Sequence, residues 1–217
     1  MTISLYSGTP GSGKSACATM RIYKRLKRKL PVIANYNLNK EILPNGKLFT
    51  YVDNSRLTPD LLVKSAGDWF SKHRFGEDRI LLVIDECQLL FNSREWQNTD
   101  RMKWLEFFSQ HRKYGYAVIL VAQFDKMVDR QFRALIEYEY IHRKVSNFGL
   151  AGWCLSLLFA GRAHVVVQRY YPLNQKVGSR FFIPSKKTFQ LYDSYGTFKR
   201  ESEGLVQADN LKLVEGA

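Results

Sequence analysis

Cysteine is scarce in this chain: Cys17, Cys87 and Cys154 are the three in 217 residues, far apart and with no C-x-x-C pair. Such spacing argues against a disulfide framework or a cysteine-based zinc site and suits a reducing compartment. The four histidines, His73, His111, His142 and His164, lack metal-ligand spacing and read as structural or surface residues. Long apolar runs are missing too. The longest, residues 148–160 (FGLAGWCLSLLFA), has 13 residues, short of the ~20 that a spanning helix needs. It reads as a buried element, with a shallow membrane or partner contact as the other reading. The N-terminus runs straight into an expected strand instead of the charged and apolar regions of a signal peptide. Acidic residues are in deficit, 20 against 33 Lys and Arg, for a formal charge of +13. That excess favours nucleic acid, an anionic membrane face or another acidic partner; a basic surface kept for solubility is the alternative. Hydrophobic residues make up 45 %, which suits a globular chain of one ordinary domain with an appendage.

What is present is a complete phosphate-binding loop. Gly8-Thr9-Pro10-Gly11-Ser12-Gly13-Lys14-Ser15 matches G-x-x-x-x-G-K-[ST]. Glycines let the backbone turn tightly enough for successive N–H groups to face phosphate oxygens. Lys14 is placed to reach the β- and γ-phosphates of ATP, and the Ser15 hydroxyl to ligate Mg²⁺. The cradle is expected to span Gly8 to Ala16. A strand over residues 2–6 and a helix over 16–30 flank the loop, as a nucleotide site requires; an ordinary glycine-rich turn is the bland reading.

Further strands are expected at 32–36, 48–52, 79–84 and 117–122, with helices opening at Thr58-Pro59 and over 101–113. The uninterrupted apolar run of residues 80–84 is how a strand reads when both faces are buried. Strands alternating with helices indicate an α/β fold, a P-loop NTPase with a mainly parallel sheet flanked by helices. Beyond residue 138 the pattern changes to strands at 138–144, 164–171 and 181–183, a small β-containing extension. The expected organisation is a core over 1–145, an extension packed on it over 146–198, and a polar tail over 199–217.

In a parallel sheet, ligands sit at the carboxyl ends of the strands. The loop, Asp85-Glu86 and Gln123 all lie at such ends. Asp85 is expected to hold Mg²⁺ and Glu86 to act as general base on a water, a pairing that fits hydrolysis better than transfer to a small molecule. Capping of a helix starting at Cys87 is the other role open to both acids. Gln123 is placed to orient the same water or sense the γ-phosphate, unless it is only a polar strand end. Arg112, or Arg130 or Arg133, would supply an arginine finger to a neighbouring subunit, or else a surface or DNA-facing charge. Arg21, Lys24, Arg25 and Arg28 follow helical spacing and read as one basic face, either solvated or strand-binding. Tyr23, Tyr36, Trp69 and Trp104 are aromatics that would suit a strand-tracking groove.

Together with Asp85-Glu86-Cys87-Gln88, His111-Arg112-Lys113-Tyr114-Gly115, Asp129-Arg130-Gln131-Phe132-Arg133, His164-Val165-Val166-Val167 and Leu191-Tyr192-Asp193-Ser194-Tyr195-Gly196-Thr197, the loop makes the chain resemble the zonula occludens toxin family over residues 1–198. The best-known branch of that family is the filamentous-phage assembly ATPase. The resemblance implies Mg²⁺-dependent ATP hydrolysis at the cytoplasmic face of a host inner membrane. It also implies a homo-oligomer, in ring form, that extrudes single-stranded DNA as coat proteins replace its binding protein. Family members usually carry a transmembrane helix and a further domain after this one; neither is read here, so membrane contact is expected through a partner or an anchor beyond these residues. A nucleotide or small-molecule kinase, and a non-catalytic module switched by bound ATP, are the alternatives.

Overall fold

Side chains along a strand alternate between faces, so a strand in the middle of a layered fold must be apolar on both. Strand β1 (Ile3–Ser7) meets that demand by sending Ile3 and Leu5 into one core and Tyr6 into the other. The computed structural model describes residues 2–91, 100–150, 153, 159 and 161–191. Strands β2 (Val32–Ala34), β3 (Phe49–Tyr51), β4 (Ile80–Ile84), β5 (Tyr116–Val121) and β6 (Tyr138–Lys144) run parallel with β1. Strands β7 (His164–Tyr170) and β8 (Gln175–Phe182) add to the same sheet antiparallel. The order is β3-β2-β4-β5-β1-β6-β7-β8. No break in the sheet separates the expected core from the expected extension, because β7 pairs with β6 along its whole length.

Helix α1 (Lys14–Lys27) covers one face, burying Ala18, Ile22 and Leu26 against Val32, Leu81 and Val83. Helices α2 (Pro59–Phe70) and α3 (Asp100–Gln110) cover the other, where Leu62, Trp104, Phe107 and Phe108 meet Ile80, Leu82 and Leu120. Thr58 caps α2 through its hydroxyl, which accepts the N–H of Leu61, with Pro59 at the first helical position. Two short helices, α4 (Arg130–Arg133) and α5 (Lys186–Leu191), complete the described elements, and Leu191 packs into the α1 core. Among the described residues, no helix is long and apolar enough to cross a membrane.

Several expectations change. Of the strand expected at 181–183, Phe181 and Phe182 are the end of an eight-residue strand, β8, and Ile183 lies beyond it; the start was hidden because Gln175, Lys176 and Ser179 show no apolar alternation on an exposed sheet edge. The helix expected from Cys87 is a single 3-10 turn, Cys87–Leu89. The run 148–160 is not buried at its described positions: Phe148, Leu150, Trp153 and Phe159 are all exposed, Leu150 at 84 %. These positions fall between β6 and β7, which pair directly with each other. Trp104 is unavailable to a ligand groove because it is packed among Phe91, Phe107 and Phe108. Residues 192–217, with the Tyr192 to Thr197 element and the polar tail, lie outside the described residues.

The basic face of α1 also divides. Arg21, Lys24 and Arg28 are exposed, but Arg25 is buried and ion-paired with Asp78, whose backbone carbonyl accepts a second hydrogen bond at 2.6 Å. Helical spacing shows which residues share a face and not which of them a partner covers. Arg25→Ala strands that pair, and is expected to cost about 1–3 kcal/mol, as a hydrogen bond to a charged group does. Lys24→Ala should stay within about 0.5 kcal/mol. Urea unfolding midpoints of the two variants check both values.

Candidate active site at the strand ends

The turn from β1 into α1 rests on backbone conformations that favour glycine. Gly8 (φ 138°) and Gly13 (φ 89°) lie in the positive-φ region. A Cβ on Gly8 would run into the carbonyl oxygen of His142, and one on Gly13 would sit 3.1 Å from the His164 ring. The loop is held from within and from its neighbours. Gly8 N–H donates to the Gln123 carbonyl (3.1 Å) and Ser12 N–H to the Thr9 carbonyl (3.1 Å). Pro10 has no N–H. The amides left for an anion among the described contacts are therefore those of Thr9, Gly11 and Gly13 and the first turn of α1, Lys14, Ser15 and Ala16. The Ser12 hydroxyl is buried in the same loop without a hydrogen-bond partner among the described residues.

Lys14 folds over the loop, its ammonium donating to the carbonyls of Gly8 (2.7 Å) and Thr9 (3.2 Å). Burial lowers its pKa, against the opposing pull of Glu86 and Asp85. One turn boundary away, the Ser15 hydroxyl donates to Asp85 Oδ2 at 2.9 Å. Burial pushes the Asp85 carboxyl up, against the hydrogen bond from Ser15. A hydroxyl and a carboxylate side by side at a helix N-terminus form a hard-oxygen donor pair. They fit a Mg²⁺ ion that takes its other ligands from phosphate and water, and a cation there would offset the cost of the buried carboxylate.

Asp85 is aimed by Asn35, which follows β2. The Asn35 side chain accepts the Asp85 N–H (2.6 Å) and donates to both the Asp85 carbonyl (2.8 Å) and Asn54 Oδ1 (2.8 Å). Glu86 adopts a left-handed conformation (φ 47°), its N–H donating to Asp85 Oδ1 (3.0 Å) and its carboxylate accepting from Gln88. That conformation costs a non-glycine residue about 1–2 kcal/mol and turns the side chain off the strand direction. Gln123 follows β5, the strand inserted between β1 and β4, and its backbone touches Gly8. Arg112 does not join this group. It precedes β5, at the sheet edge opposite the loop, and pairs loosely with Glu137 at 3.6 Å. Arg130 and Arg133 lie on α4, beyond the Gln123 end of β5.

Two histidines read from the sequence as ordinary residues form a wall of the loop. His142 on β6 is buried, its Nδ1–H donating to the Tyr140 carbonyl (2.8 Å) and its ring 5.1 Å from that of Tyr6. His164 on β7 packs its ring against Gly13. Burial lowers both pKa values, that of His142 to about 4, with Lys14 and Arg180 adding to the effect. Asn35 had a signal, a polar residue ending an apolar strand as Asp85 and Gln123 do; the histidines had none, since only tertiary contact places them.

The depressed His142 pKa has a defined sign. The unfolded chain takes up a proton as pH falls below about 6.5, while the folded imidazole stays neutral down to about 4. Stability supplied by the neutral ring is thus full above pH 6.5 and lost between 6.5 and 4, by up to about 3 kcal/mol. Urea midpoints at pH 7 and 4.5 should fall further apart in the wild type than in His142→Gln, which keeps the carboxylate titrations and removes this one.

Comparison with known proteins agrees with the geometry. Residues 2–199 match the family model described as Zonular occludens toxin (Zot). The Gene 1 protein of Enterobacteria phage M13 is 26 % identical, over 91 % of this chain and 60 % of that protein. The chain thus spans about 60 % of the length of that relative. Among solved structures, the N-terminal domain of zonular occludens toxin from Neisseria meningitidis superposes with a TM-score of 0.55 at 17 % identity, covering 88 % of this chain and 98 % of that one. The genome packaging NTPase B204 from Sulfolobus turreted icosahedral virus 2, in complex with ATP-gammaS, gives 0.51 at 15 % identity over 85 % and 98 %. A P-loop NTPase fold, a complete phosphate loop and a family match over nearly the whole chain lead to one conclusion: this chain belongs to the zonular occludens toxin family.

Proposed function

We propose that this chain is a Mg²⁺-dependent ATPase whose turnover drives phage virion assembly, extruding single-stranded DNA at the cytoplasmic face of the host inner membrane. The observation that carries the enzymatic part is the 2.9 Å bond from Ser15 to Asp85, which joins the helix after the loop to the end of β4 across an intervening strand. The free amides of Gly11, Gly13 and residues 14–16 would hold the phosphates, with Lys14 releasing the Gly8 and Thr9 carbonyls to reach the β- and γ-oxygens. Ser15 and Asp85 would hold Mg²⁺, which supplies charge neutralisation across those oxygens. Glu86, turned out of the strand direction and steadied by Gln88, would take the proton of the attacking water. Gln123, fixed to Gly8 through its backbone, would orient that water.

Family membership and the relationship to a phage Gene 1 protein support the assembly role. Coat and assembly proteins are the partners this role requires, and membrane contact would come through one of them or through an anchor outside these residues. A homo-oligomeric ring would let a neighbour's residue complete each nucleotide site. Arg112, at the far edge of its own sheet, can serve only a neighbour whose opposite edge faces the loop.

Lys14→Ala is expected to abolish phosphate release. Glu86→Gln should retain binding of a fluorescent ATP analogue while turnover drops by about 10²–10⁴, the usual worth of a general base. Unchanged turnover in both variants would overturn the assignment.

A further inference from the structure

Beneath α1, on the sheet face away from α2 and α3, lies a cleft of about 460 Å³. Its walls are Arg21 and Lys24 of α1, Thr2 and Ser4 at the start of β1, Tyr140 of β6, and Arg180 and Phe182 of β8. None of the loop residues 8–16 lines it, and the nucleotide site does not use it.

Two features fit the cleft to a ligand that carries negative charge on one side and a flat apolar ring on the other. The first is its floor. Strand β1 sends Ile3 and Leu5 into the opposite core and shows Thr2, Ser4 and Tyr6 here, beside Leu81, Ala117 and Ile119 of the neighbouring strands, so the floor is mixed; the hydroxyls of Thr2 and Ser4 are 3.3 Å apart. The second is its charge. The one acid lining the cleft, Asp78, is already paired with Arg25. Arg21, Lys24 and Arg180 therefore line it together, with no further carboxylate in the lining among the described residues. All three act on the same buried thiol, Cys17, each pulling its pKa down against the effect of burial. The Arg180 guanidinium lies 5.6 Å from the centre of the Tyr140 ring, and the Phe182 ring flanks it on the same strand.

We propose that this cleft binds single-stranded nucleic acid, with Arg21, Lys24 and Arg180 on consecutive phosphates and Tyr140 and Phe182 against the bases. Cations supply affinity that is independent of sequence, and aromatic faces accept any base. The inference rests on the proposed function for the identity of the polymer; the chemistry it shares with a free nucleotide is a phosphate beside a flat ring.

Fluorescence anisotropy of a labelled dT oligomer with the full 217-residue chain, at rising salt, tests the inference. The triple variant Arg21→Gln, Lys24→Gln, Arg180→Gln should bind at least tenfold more weakly, and its log–log salt slope should shrink by about 2, since each phosphate contact on a single strand contributes about 0.7. Binding of a fluorescent ATP analogue should be unchanged, which shows that the variant is folded. Photocrosslinking of a 5-iododeoxyuridine oligomer should map to Tyr140 or Phe182. Equal affinity of wild type and triple variant would overturn the site. Competition by dTMP as strong, per phosphate, as by the oligomer would make the cleft a mononucleotide site. A wild type that hydrolyses ATP but binds no oligomer would reject the nucleic-acid ligand while leaving the ATPase reading intact; loss of turnover in wild type would fail that reading instead.

Discussion

The hydrogen bond between Ser15 and Asp85 spans the gap between the first and fourth strands of the chain, and most of the site's architecture exists to make it possible. Asp85 is buried, and a buried carboxylate is costly unless something answers its charge. Ser15 answers part of it, Asn35 fixes the backbone that carries it, and the positive end of α1 is aimed near it. The parallel sheet is what brings these groups to one edge. With β5 between β1 and β4, the edge gains a third polar strand end, Gln123, beside the loop.

Strain and burial accumulate around the same point. Glu86 is held in a left-handed conformation, His142 and His164 stay neutral against the loop, and Gly8 and Gly13 have no room for a side chain. The loop's shape is thus set by its neighbours before any ligand arrives. For the proposed chemistry, which relies on positioning and electrostatics, preformed geometry of this kind would lower the reorganisation needed at the moment of reaction.

The loop was legible in the sequence because its four fixed positions each answer a separate physical need, and chance rarely meets all four. Asp85 and Gln123 were legible as polar residues ending apolar strands. Asn35 fits the same rule, but β2 is only three residues long and gives the eye little to follow. The histidine wall and the conformation of Glu86 could not be read, since neither a tertiary contact nor a φ angle is written in residue spacing. Arg25 was assigned to the basic face because its partner, Asp78, lies 53 residues on. The run from Phe148 was read as buried from its apolar composition, and composition does not say whether a side chain such as Leu150 meets a core layer.

Helix α1 carries the loop at one end and the Arg25 pin at the other, with Cys17, Arg21 and Lys24 between. At 14 residues it is about 20 Å long. Because Ala18, Ile22 and Leu26 lie buried on the sheet between those two ends, the loop, the cleft wall and the ion pair share one helix and one packed face.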